Sequence, residues 1–246
     1  MKRVLVVGGS PEYVGAAYLA GVTALRSGAD SVIVMAPEKV AWAINALSPD
    51  LVTRKLRGPH LTLAHEAAIR RQLATADVLV LGSGAGVRSA TAALMRKLMR
   101  WPGLKVVDAD ALKALRNGAV DNAILTPNEG EWELLTRAND VPELLARHIV
   151  IIKKGMPTEI RSRERTFRQS RANAGLGKAG TGDVLAGLCA GSLARGASLW
   201  EAAKEAVATG TAIADVLTKK KKGYYFLASD IAEELKRSKR LSAKPR

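Results

Sequence analysis

Six short stretches of the chain are almost continuously apolar, and each runs into glycine, proline or charged residues. They cover residues 4–9, 31–37, 77–84, 105–110, 123–131 and 149–155. Within them apolar residues follow one another instead of alternating with polar ones, which is typical of strands buried on both faces of a sheet. The pattern therefore predicts six buried strands.

Helical spacing characterises the stretches between these strands. Apolar residues three or four positions apart predict helices at 15–28, 90–101, 183–195 and 199–217, with Gly28 as a C-cap. Strands that alternate with helices in this way predict an α/β fold with a mostly parallel, doubly wound central sheet and helices on both faces. We find no internal repeat and expect a single domain over residues 1–235, with a basic C-terminal tail over 236–246 whose order the sequence leaves open.

Polar residues collect directly after the predicted strands. The segments that follow them are GGSPEYVGAA, GSGAG, DAD, TPNEGE and KKG. The carboxyl ends of parallel strands lie at one edge of the sheet, where open α/β sheets bind their ligands. We therefore expect the functional site at this edge.

Composition narrows the class of protein. The chain has 246 residues, of which 48% are hydrophobic and 4% aromatic, so that Val, Ile, Leu and Ala must fill a sizeable core. The one cysteine, Cys189, excludes an internal disulfide and fits a reducing compartment. The sequence opens with no basic-then-apolar leader and contains no apolar run of the ~20 residues that a bilayer requires. We expect a soluble, cytoplasmic protein without a membrane partner.

The formal net charge of +15 is concentrated in two stretches. Residues 219–246 carry a net +7 and residues 153–178 a net +6, so the rest of the chain is close to neutral. A nucleic-acid-binding face is one interpretation, and a frayed, solvated tail with a charged edge hairpin is another. A third is an anionic ligand, because the second stretch leads directly into a glycine-rich loop.

Several common site motifs are missing from the sequence. GSGAGVR does not complete G-x-G-x-x-G because Val87 occupies the place of the third glycine, and neither G-x-x-x-x-G-K-[ST] nor G-x-S-x-G occurs. The three histidines lack metal-ligand spacing and Cys189 stands alone. We therefore expect no protein metal site.

The stretch NAGLGKAGTGDVLAG at residues 173–187 joins a glycine-rich loop to a predicted helix. Gly177, Gly180 and Gly182 allow positive φ values, with which successive backbone amides converge on an anion, and a helix N-terminus favours phosphate further. Asp183 lies at the opening of this helix. It either caps the helix or acts as the general base toward a hydroxyl that attacks the phosphate.

These segments resemble, in order and approximate spacing, the motifs of the ADP-dependent NAD(P)H-hydrate dehydratases, a branch of the ribokinase-like superfamily. The family's N-P-G-M-A-T-G-G-[ST]-G-D is matched by NAGLGKAGTGD (173–183), G-P-G-L-G by GSGAG (82–86), D-A-D-A-L by DADAL (108–112), T-P-H-x-G-E by TPNEGE (126–131), K-G by KKG, and G-x-x-x-x-x-G-A by GSPEYVGAA (9–17). Six matches in order cover residues 4 to about 217. The resemblance implies a ribokinase-like fold and a stand-alone dehydratase domain.

The resemblance also implies a reaction. Its substrate would be NAD(P)H hydrated at C6 of the nicotinamide ring, (6S)-NADHX or NADPHX, and ADP would be the co-substrate. Asp183 would be the catalytic base that deprotonates the C6 hydroxyl, which attacks the β-phosphate of ADP. AMP departs, and phosphate is then expelled to restore NAD(P)H. Mg²⁺, a homo-oligomer (a tetramer by resemblance) and a separate epimerase protein are further expectations.

Site residues follow from the same resemblance. Hydrated NAD(P)H would be bound by Ala16, Gly84, Asn128 and Asp183. The AMP part of ADP would be bound by Lys154, Gly155, Met156, Pro157, Thr158 and Gly182, and the anion hole would consist of Gly180, Thr181 and Gly182.

Several of these residues have structural alternatives. Gly84 could simply end a strand, and Lys154 could be ordinary surface charge. Asn128 and Glu131 could be turn and capping residues. In the DADAL segment, Asp108 and Asp110 could cap the following helix instead of serving a metal or phosphate.

The sequence departs from the family pattern at a few positions. Asn128 stands where the family usually has His, Ser83 and Ala85 replace Pro and Leu, and Gly177-Lys178 replaces Ala-Thr. The last change adds a cation beside the expected anion hole, and direct contact of Lys178 with phosphate is one expectation.

Two other functions remain open from the residues alone. A kinase for a small alcohol, such as hydroxyethylthiazole or a sugar, would use the same Asp183 and anion hole with ATP. A non-catalytic nucleic-acid binder would account for the basic stretches, but the few Trp and Tyr residues are not interleaved with them, which weakens a stacking surface. TPNEGE and the early VGAA segment favour the dehydratase.

Overall fold

The computed structural model describes residues 1–116, 120–170 and 173–237. Within these ranges, nine strands form a single sheet. They are β1 (Arg3–Val7), β2 (Ser31–Pro37), β3 (Val52–Leu56), β4 (Val78–Leu81), β5 (Leu104–Val107), β6 (Ala123–Leu125), β7 (Ile149–Lys153), β8 (Thr158–Arg161) and β9 (Thr166–Gln169). Their order is β3-β2-β1-β4-β5-β6-β7-β8-β9. Strands β1 to β7 pair in parallel, and β8 and β9 form an antiparallel hairpin at one edge.

Ten α-helices of the described residues connect and cover these strands. They are α1 (Val14–Arg26), α2 (Glu38–Leu47), α3 (Glu66–Leu73), α4 (Ser89–Met99), α5 (Asp110–Ala114), α6 (Glu129–Ala138), α7 (Val141–Leu145), α8 (Thr181–Ala194), α9 (Leu199–Lys220) and α10 (Ala228–Glu234). Buried side chains form two apolar clusters, one on each face of the sheet. The predicted mostly parallel, doubly wound sheet with helices on both faces is confirmed.

The six strands predicted from apolar stretches all occur. Strand β2 spans its whole stretch, and the other five are shorter than theirs, because the polar end of the stretch forms the loop that follows. Strand β3 was not predicted, and its sequence VTRKL explains why. It lies at the edge of the sheet, where Arg54 and Lys55 are exposed, so it lacks the apolar run of a central strand.

The predicted charged edge hairpin is also confirmed. Strands β8 and β9 carry it, and the nearly buried Glu159 pairs with both Arg161 and Arg168. The second basic stretch therefore neutralises part of its own charge.

The basic C-terminal stretch is more ordered than a frayed tail. Helix α9 extends through Lys220, and α10 follows at Ala228–Glu234. Lys220 pairs with Glu234, and Lys221 with Asp230. The expectation of a frayed tail is thus wrong for residues up to 237. The predicted tail over 236–246 lies almost wholly outside the described residues.

Helix α8 is the element that links the site to the core. Nearly all of its residues are buried, and it lies between α1 and α9. Its glycines allow this close approach: a Cβ at Gly187 would lie 2.5 Å from the carbonyl oxygen of Ala20 in α1. The tight contact fixes the position of the α8 N-terminus relative to the sheet.

Candidate active site

A cavity of about 590 Å³ opens at the carboxyl edge of the sheet, beside the N-terminus of α8. Nine of the twelve predicted site residues line it: Asn128, Lys154, Gly155, Met156, Thr158, Gly180, Thr181, Gly182 and Asp183. They come from three separate segments of the chain. The remaining wall is largely apolar and includes Leu176, Leu188, Val207 and Ile231, a composition typical of small-molecule sites.

The first turn of α8 forms one wall of this cavity. Gly180 is the N-cap residue and has φ of 86°, in the left-handed region, which glycine adopts without strain. The amides of Gly182 and Asp183 lie in the first turn, where a helix has no internal acceptor. The Thr181 amide differs, since it donates to the carbonyl of Lys178 at 3.3 Å. The turn can therefore receive an anion chiefly through its neighbouring amides.

Asp183 is a buried carboxyl group at the edge of this turn. Burial raises its pKa, and the negative charge of Asp108 raises it further, to about 7. The Ser83 hydroxyl and the Lys154 ammonium act in the opposite direction. Ser83 Oγ is itself buried and makes no hydrogen bond of normal geometry within the described residues, so its influence is that of a nearby dipole. The N-cap of α8 is Gly180, which has no side chain to cap the helix, and Asp183 is the acidic residue of the first turn.

Lys154 lies at the bottom of the cavity between carboxylates. Its Nζ is 3.0 Å from Asp108 Oδ1 and 3.9 Å from Glu131 Oε2. Burial lowers the pKa of Lys154, but the charges of Asp108 and Glu131 outweigh it and the pKa is raised. A Cβ at Gly182 would lie 3.1 Å from Lys154 Nζ. The ammonium is therefore charged and adjacent to the α8 turn, which excludes ordinary surface charge.

Asp108 is held by a second partner. The hydroxyl of the fully buried Thr126 donates to Asp108 Oδ1 at 2.6 Å. Asp108 and Asp110 do not cap the following helix, since the N-cap of α5 is Ala109 and no side chain bonds there. Asp110 instead accepts from the Gly86 amide at 2.8 Å and from Lys113.

The TPNEGE segment turns the chain into α6. Asn128 Oδ1 accepts from the Glu131 amide at 2.9 Å, and Glu131 Oε2 accepts from the Asn128 amide at 3.0 Å. This reciprocal pair is a capping box, and the capping alternative for both residues is confirmed. Asn128 also lines the cavity. The cap uses its Oδ1, and its Nδ2 is the side-chain atom left to donate to a ligand.

The loop between β7 and β8 forms another part of the cavity wall. The Lys154 amide donates to the carbonyl of Pro127 at 2.8 Å, which joins this loop to the TPNEGE segment. Thr158 Oγ1 donates to the carbonyl of Gly155 at 3.0 Å. Met156 is 72% exposed at the cavity mouth, while Pro157 is not among the cavity residues.

Ala16 and Gly84 lie outside this cavity but close to each other. Gly84 has φ of 61°, and a Cβ there would lie 2.8 Å from Cβ of Ala16. Ala16 lies in the first turn of α1, which follows β1, and Gly84 lies in the loop after β4. Strands β1 and β4 are adjacent, and from them the sheet is wound in opposite directions. Such a point is where doubly wound sheets bind ligands. Ser83, next to Gly84, connects this crevice to Asp183.

Three buried residues of the site were not predicted as site residues. They are Asp108, Thr126 and Glu131. All three follow strands β5 and β6 at the carboxyl edge, so their sequence position was the available signal. The same residue types cap helices and turns elsewhere, and the sequence alone could not separate the two roles.

Lys178, which we expected to contact phosphate, lines the cavity, but its ammonium is bound to backbone carbonyls. Lys178 Nζ donates to the carbonyl oxygens of Tyr224 and Phe226. Its ammonium is directed at the segment before α10, because those carbonyls have no helical or strand partner.

No metal cage is formed by the residues that the structure describes. No group of three His, Cys, Asp or Glu side chains among them is placed to hold an ion, and Asp108 and Glu131 face Lys154 instead. Within the same ranges, no helix is long and apolar enough to cross a membrane.

Sequence comparisons show which proteins this chain is similar to. The family described as NAD(P)H-hydrate dehydratase matches residues 4–237. The bifunctional NAD(P)H-hydrate repair enzyme Nnr of Pyrobaculum aerophilum is 35% identical over 252 residues, which cover 96% of this chain and 50% of that protein. The ADP-dependent (S)-NAD(P)H-hydrate dehydratase of Cenarchaeum symbiosum is 34% identical over 249 residues, covering 95% of this chain and 86% of that protein. The chain spans about half the length of the bifunctional repair enzyme of Pyrobaculum aerophilum and of three further bifunctional relatives that it matches.

A solved structure shares the fold. The ADP/ATP-dependent NAD(P)H-hydrate dehydratase from Bacillus subtilis, co-crystallised with ATP and Mg²⁺ and soaked with CoA, superimposes with a TM-score of 0.77 at 25% identity. The alignment covers 96% of this chain and 90% of that chain.

Proposed function

This chain belongs to the NAD(P)H-hydrate dehydratase family, and we propose on that premise that it removes water from hydrated NAD(P)H at the expense of ADP. The products are NAD(P)H, AMP and phosphate. One observation carries the proposal. Asp183, whose pKa burial and Asp108 raise to about 7, lies in the α8 turn beside Lys154, and both residues line the same cavity of about 590 Å³.

Asp183 is the general base of the proposed reaction. A base works best when its pKa is near the working pH, and burial beside Asp108 brings this carboxyl there. As the carboxylate it takes the proton from the C6 hydroxyl of the hydrated nicotinamide, whose oxygen attacks the β-phosphorus of ADP. The bond from that phosphorus to the bridging oxygen breaks, and AMP leaves.

The α8 turn and Lys154 stabilise the charge on the transferred phosphoryl group. The Gly182 and Asp183 amides are directed by the start of the helix, and the ammonium is fixed by Asp108 and Glu131. Preorganised donors of this kind need no reorganisation during the reaction. The lone pair of the ring nitrogen then expels phosphate from C6, and loss of a proton from the neighbouring ring carbon restores NAD(P)H.

The two substrates occupy two regions of the site in this proposal. AMP lies in the cavity between the β7–β8 loop residues Lys154–Thr158 and the apolar wall of α8 and α9. The hydrated dinucleotide reaches Asp183 from the crevice of Ala16 and Gly84, with Asn128 on the far side. Ser83 lies where the two regions meet.

Mg²⁺ is proposed to enter with the nucleotide. Mg²⁺ in proteins keeps several waters and is usually held by one or two carboxylates together with substrate phosphates, which suits a site without a protein cage. The Bacillus subtilis relative was crystallised with ATP and Mg²⁺, so either nucleotide is a candidate donor here. A homo-oligomer and a separate epimerase remain part of the proposal, and light scattering of the purified protein measures the former.

The decisive experiment supplies chemically hydrated NADH with Mg²⁺ and follows the return of the near-ultraviolet absorbance of the reduced nicotinamide. ADP, ATP or no nucleotide is added in parallel, and AMP and phosphate are quantified. We expect recovery with ADP and equal amounts of AMP and phosphate. Recovery with ATP alone would change the donor, and folded protein inactive with both would refute the dehydratase and direct the search to small-alcohol kinase substrates.

A further inference from the structure

The anion-binding loop before α8 rests on a second segment of the chain, residues 222–228, which we call the supporting strap. Three contacts join them. A Cβ at Gly175 would collide with the ring of Phe226, a Cβ at Gly180 would lie 2.9 Å from Cβ of Ala228, and Lys178 donates to two strap carbonyls. The loop is therefore supported along its whole length.

Lys178 is placed between the strap and the turn that receives the anion. Its ammonium donates to the carbonyls of Tyr224 and Phe226, the latter at 2.9 Å, and lies 5.5 Å from the centre of the Phe226 ring. Its own carbonyl accepts from the Thr181 hydroxyl at 2.7 Å and from the Thr181 amide at 3.3 Å. One residue thus ties the strap to the first residue of α8.

The strap itself has little apolar anchorage. Phe226 is fully buried, but Tyr224, Tyr225 and Leu227 are 50%, 78% and 62% exposed. Its far end is fixed by Asp230, which accepts from the Leu227 amide and pairs with Lys221. Among the residues that the structure describes, the bonds from Lys178 are the polar contacts that hold the strap against the loop between the end of α9 and Phe226.

We propose that Lys178 is a positioning residue for the anion hole: by binding the strap it fixes the φ,ψ path of the loop from Gly177 to Gly180 and so aims the first-turn amides of α8. The inference rests on the proposed dehydratase function for its kinetic readout. Misaimed donors weaken binding of the transition state more than binding of the ground state. The effect is therefore on kcat, whereas a lysine that touched the nucleotide directly would act on KM for ADP.

The test replaces Lys178 with Met, which keeps the length of the side chain and removes the donor. We expect kcat to fall about tenfold, since small misplacements cost up to ~10²-fold, with KM for ADP within twofold of the wild-type value. Lys178→Arg, which can still donate to carbonyls, should recover most of kcat. Lys219→Met is the matched control, because it removes an equal charge from the exposed end of α9 and should change neither constant.

A second readout does not depend on activity. Hydrogen exchange of the peptide that spans residues 173–183 should be faster in Lys178→Met than in the wild type and Lys219→Met, with an unchanged rate for the α4 peptide. If this exchange changes but the wild type is inactive, the proposed function fails and the positioning role survives. Unchanged exchange with unchanged kcat, or a raised KM for ADP with unchanged kcat, would overturn the inference.

Discussion

Lys154 Nζ lies 3.0 Å from Asp108 Oδ1 in a pocket that also contains Asp183. The ion pair is almost fully withdrawn from water on the Asp108 side, which is 2% exposed. In such surroundings the two charges act strongly on a third group, because little solvent screens them. Asp108 raises the pKa of Asp183 and Lys154 lowers it. The pair therefore sets the pH above which the proposed base is deprotonated.

The first prediction concerns the base itself. Asp183→Asn should keep the fold and nucleotide binding but lower turnover by about 10²–10⁴-fold, because the amide cannot take the C6 hydroxyl proton. Turnover is measured at saturating ADP, and ADP binding by calorimetry. A variant within threefold of the wild-type turnover would remove Asp183 from the mechanism.

The second prediction is a pair of opposite shifts in the pH profile. The activity of the wild type should rise as Asp183 loses its proton near pH 7. Asp108→Asn removes a negative charge that raises the pKa of Asp183, so the rising limb should move to lower pH. Lys154→Met removes a positive charge that lowers it, so the limb should move to higher pH, by roughly one unit in each case.

The measurement for this pair is kcat/KM from pH 5 to 9 on variants with normal circular dichroism. Absolute rates will fall in both, since Lys154 is also expected to bind phosphate. The test therefore depends on the direction in which the rising limb of the kcat/KM profile moves, and not on the absolute rate. Shifts of the same sign in both variants would contradict the electrostatic assignment.

The third prediction separates stability from activity at Gly182. This residue lies in the first turn of α8, and a Cβ there would stand 3.1 Å from Lys154 Nζ and 3.8 Å from Asp108 Oδ2. Gly182→Ala should leave the melting temperature unchanged or raise it slightly, because Ala is the better helix former by about 0.5–1 kcal/mol. Activity should fall at least tenfold, since the methyl group occupies the space beside the ammonium.

Gly177→Ala is the matched control for Gly182→Ala. It also lines the cavity, but its φ is not positive and a Cβ there meets nothing within 4 Å. Its activity should stay close to that of the wild type. Equal losses in both variants would mean that any added methyl group disturbs the loop.

The fourth prediction concerns stability against pH. The pKa of Asp183 rises from 3.8 to about 7 on folding, so the unfolded chain loses this proton at lower pH than the folded protein. Asp183 therefore favours folding fully below about pH 4, and its contribution is lost as the pH rises toward 7. Relative to the wild type, Asp183→Asn should gain stability on going from pH 4 to pH 8, by a few kcal/mol.

Urea titrations at the two pH values measure this difference. Asp50→Asn, at an exposed position before β3, is the control. Its stability should differ from that of the wild type by the same amount at both pH values. A variant that gains nothing over the wild type at pH 8 would show that the folded protein accommodates the Asp183 charge.

The sequence by itself determined the sheet and the edge at which the site lies. Continuous apolar runs that alternate with helices are typical of strands buried inside a parallel sheet, and the polar ends of such strands meet at its carboxyl edge. Of the three glycines expected to adopt positive φ around Asp183, Gly180 does so, whereas Gly177 and Gly182 do not. Strand β3 was missed because an edge strand keeps charged residues in solvent.

Only the tertiary structure decided what the polar residues do there. Asp108, Thr126 and Lys154 are up to 46 residues apart, and no local pattern states that a carboxylate after β5 will meet an ammonium after β7. Lys178 is a second example. Its charge suggested a contact with phosphate, but its Nζ donates to backbone carbonyls 46 and 48 residues away. A side chain's charge is local, but its partner and its desolvation depend on which strands and helices are brought together.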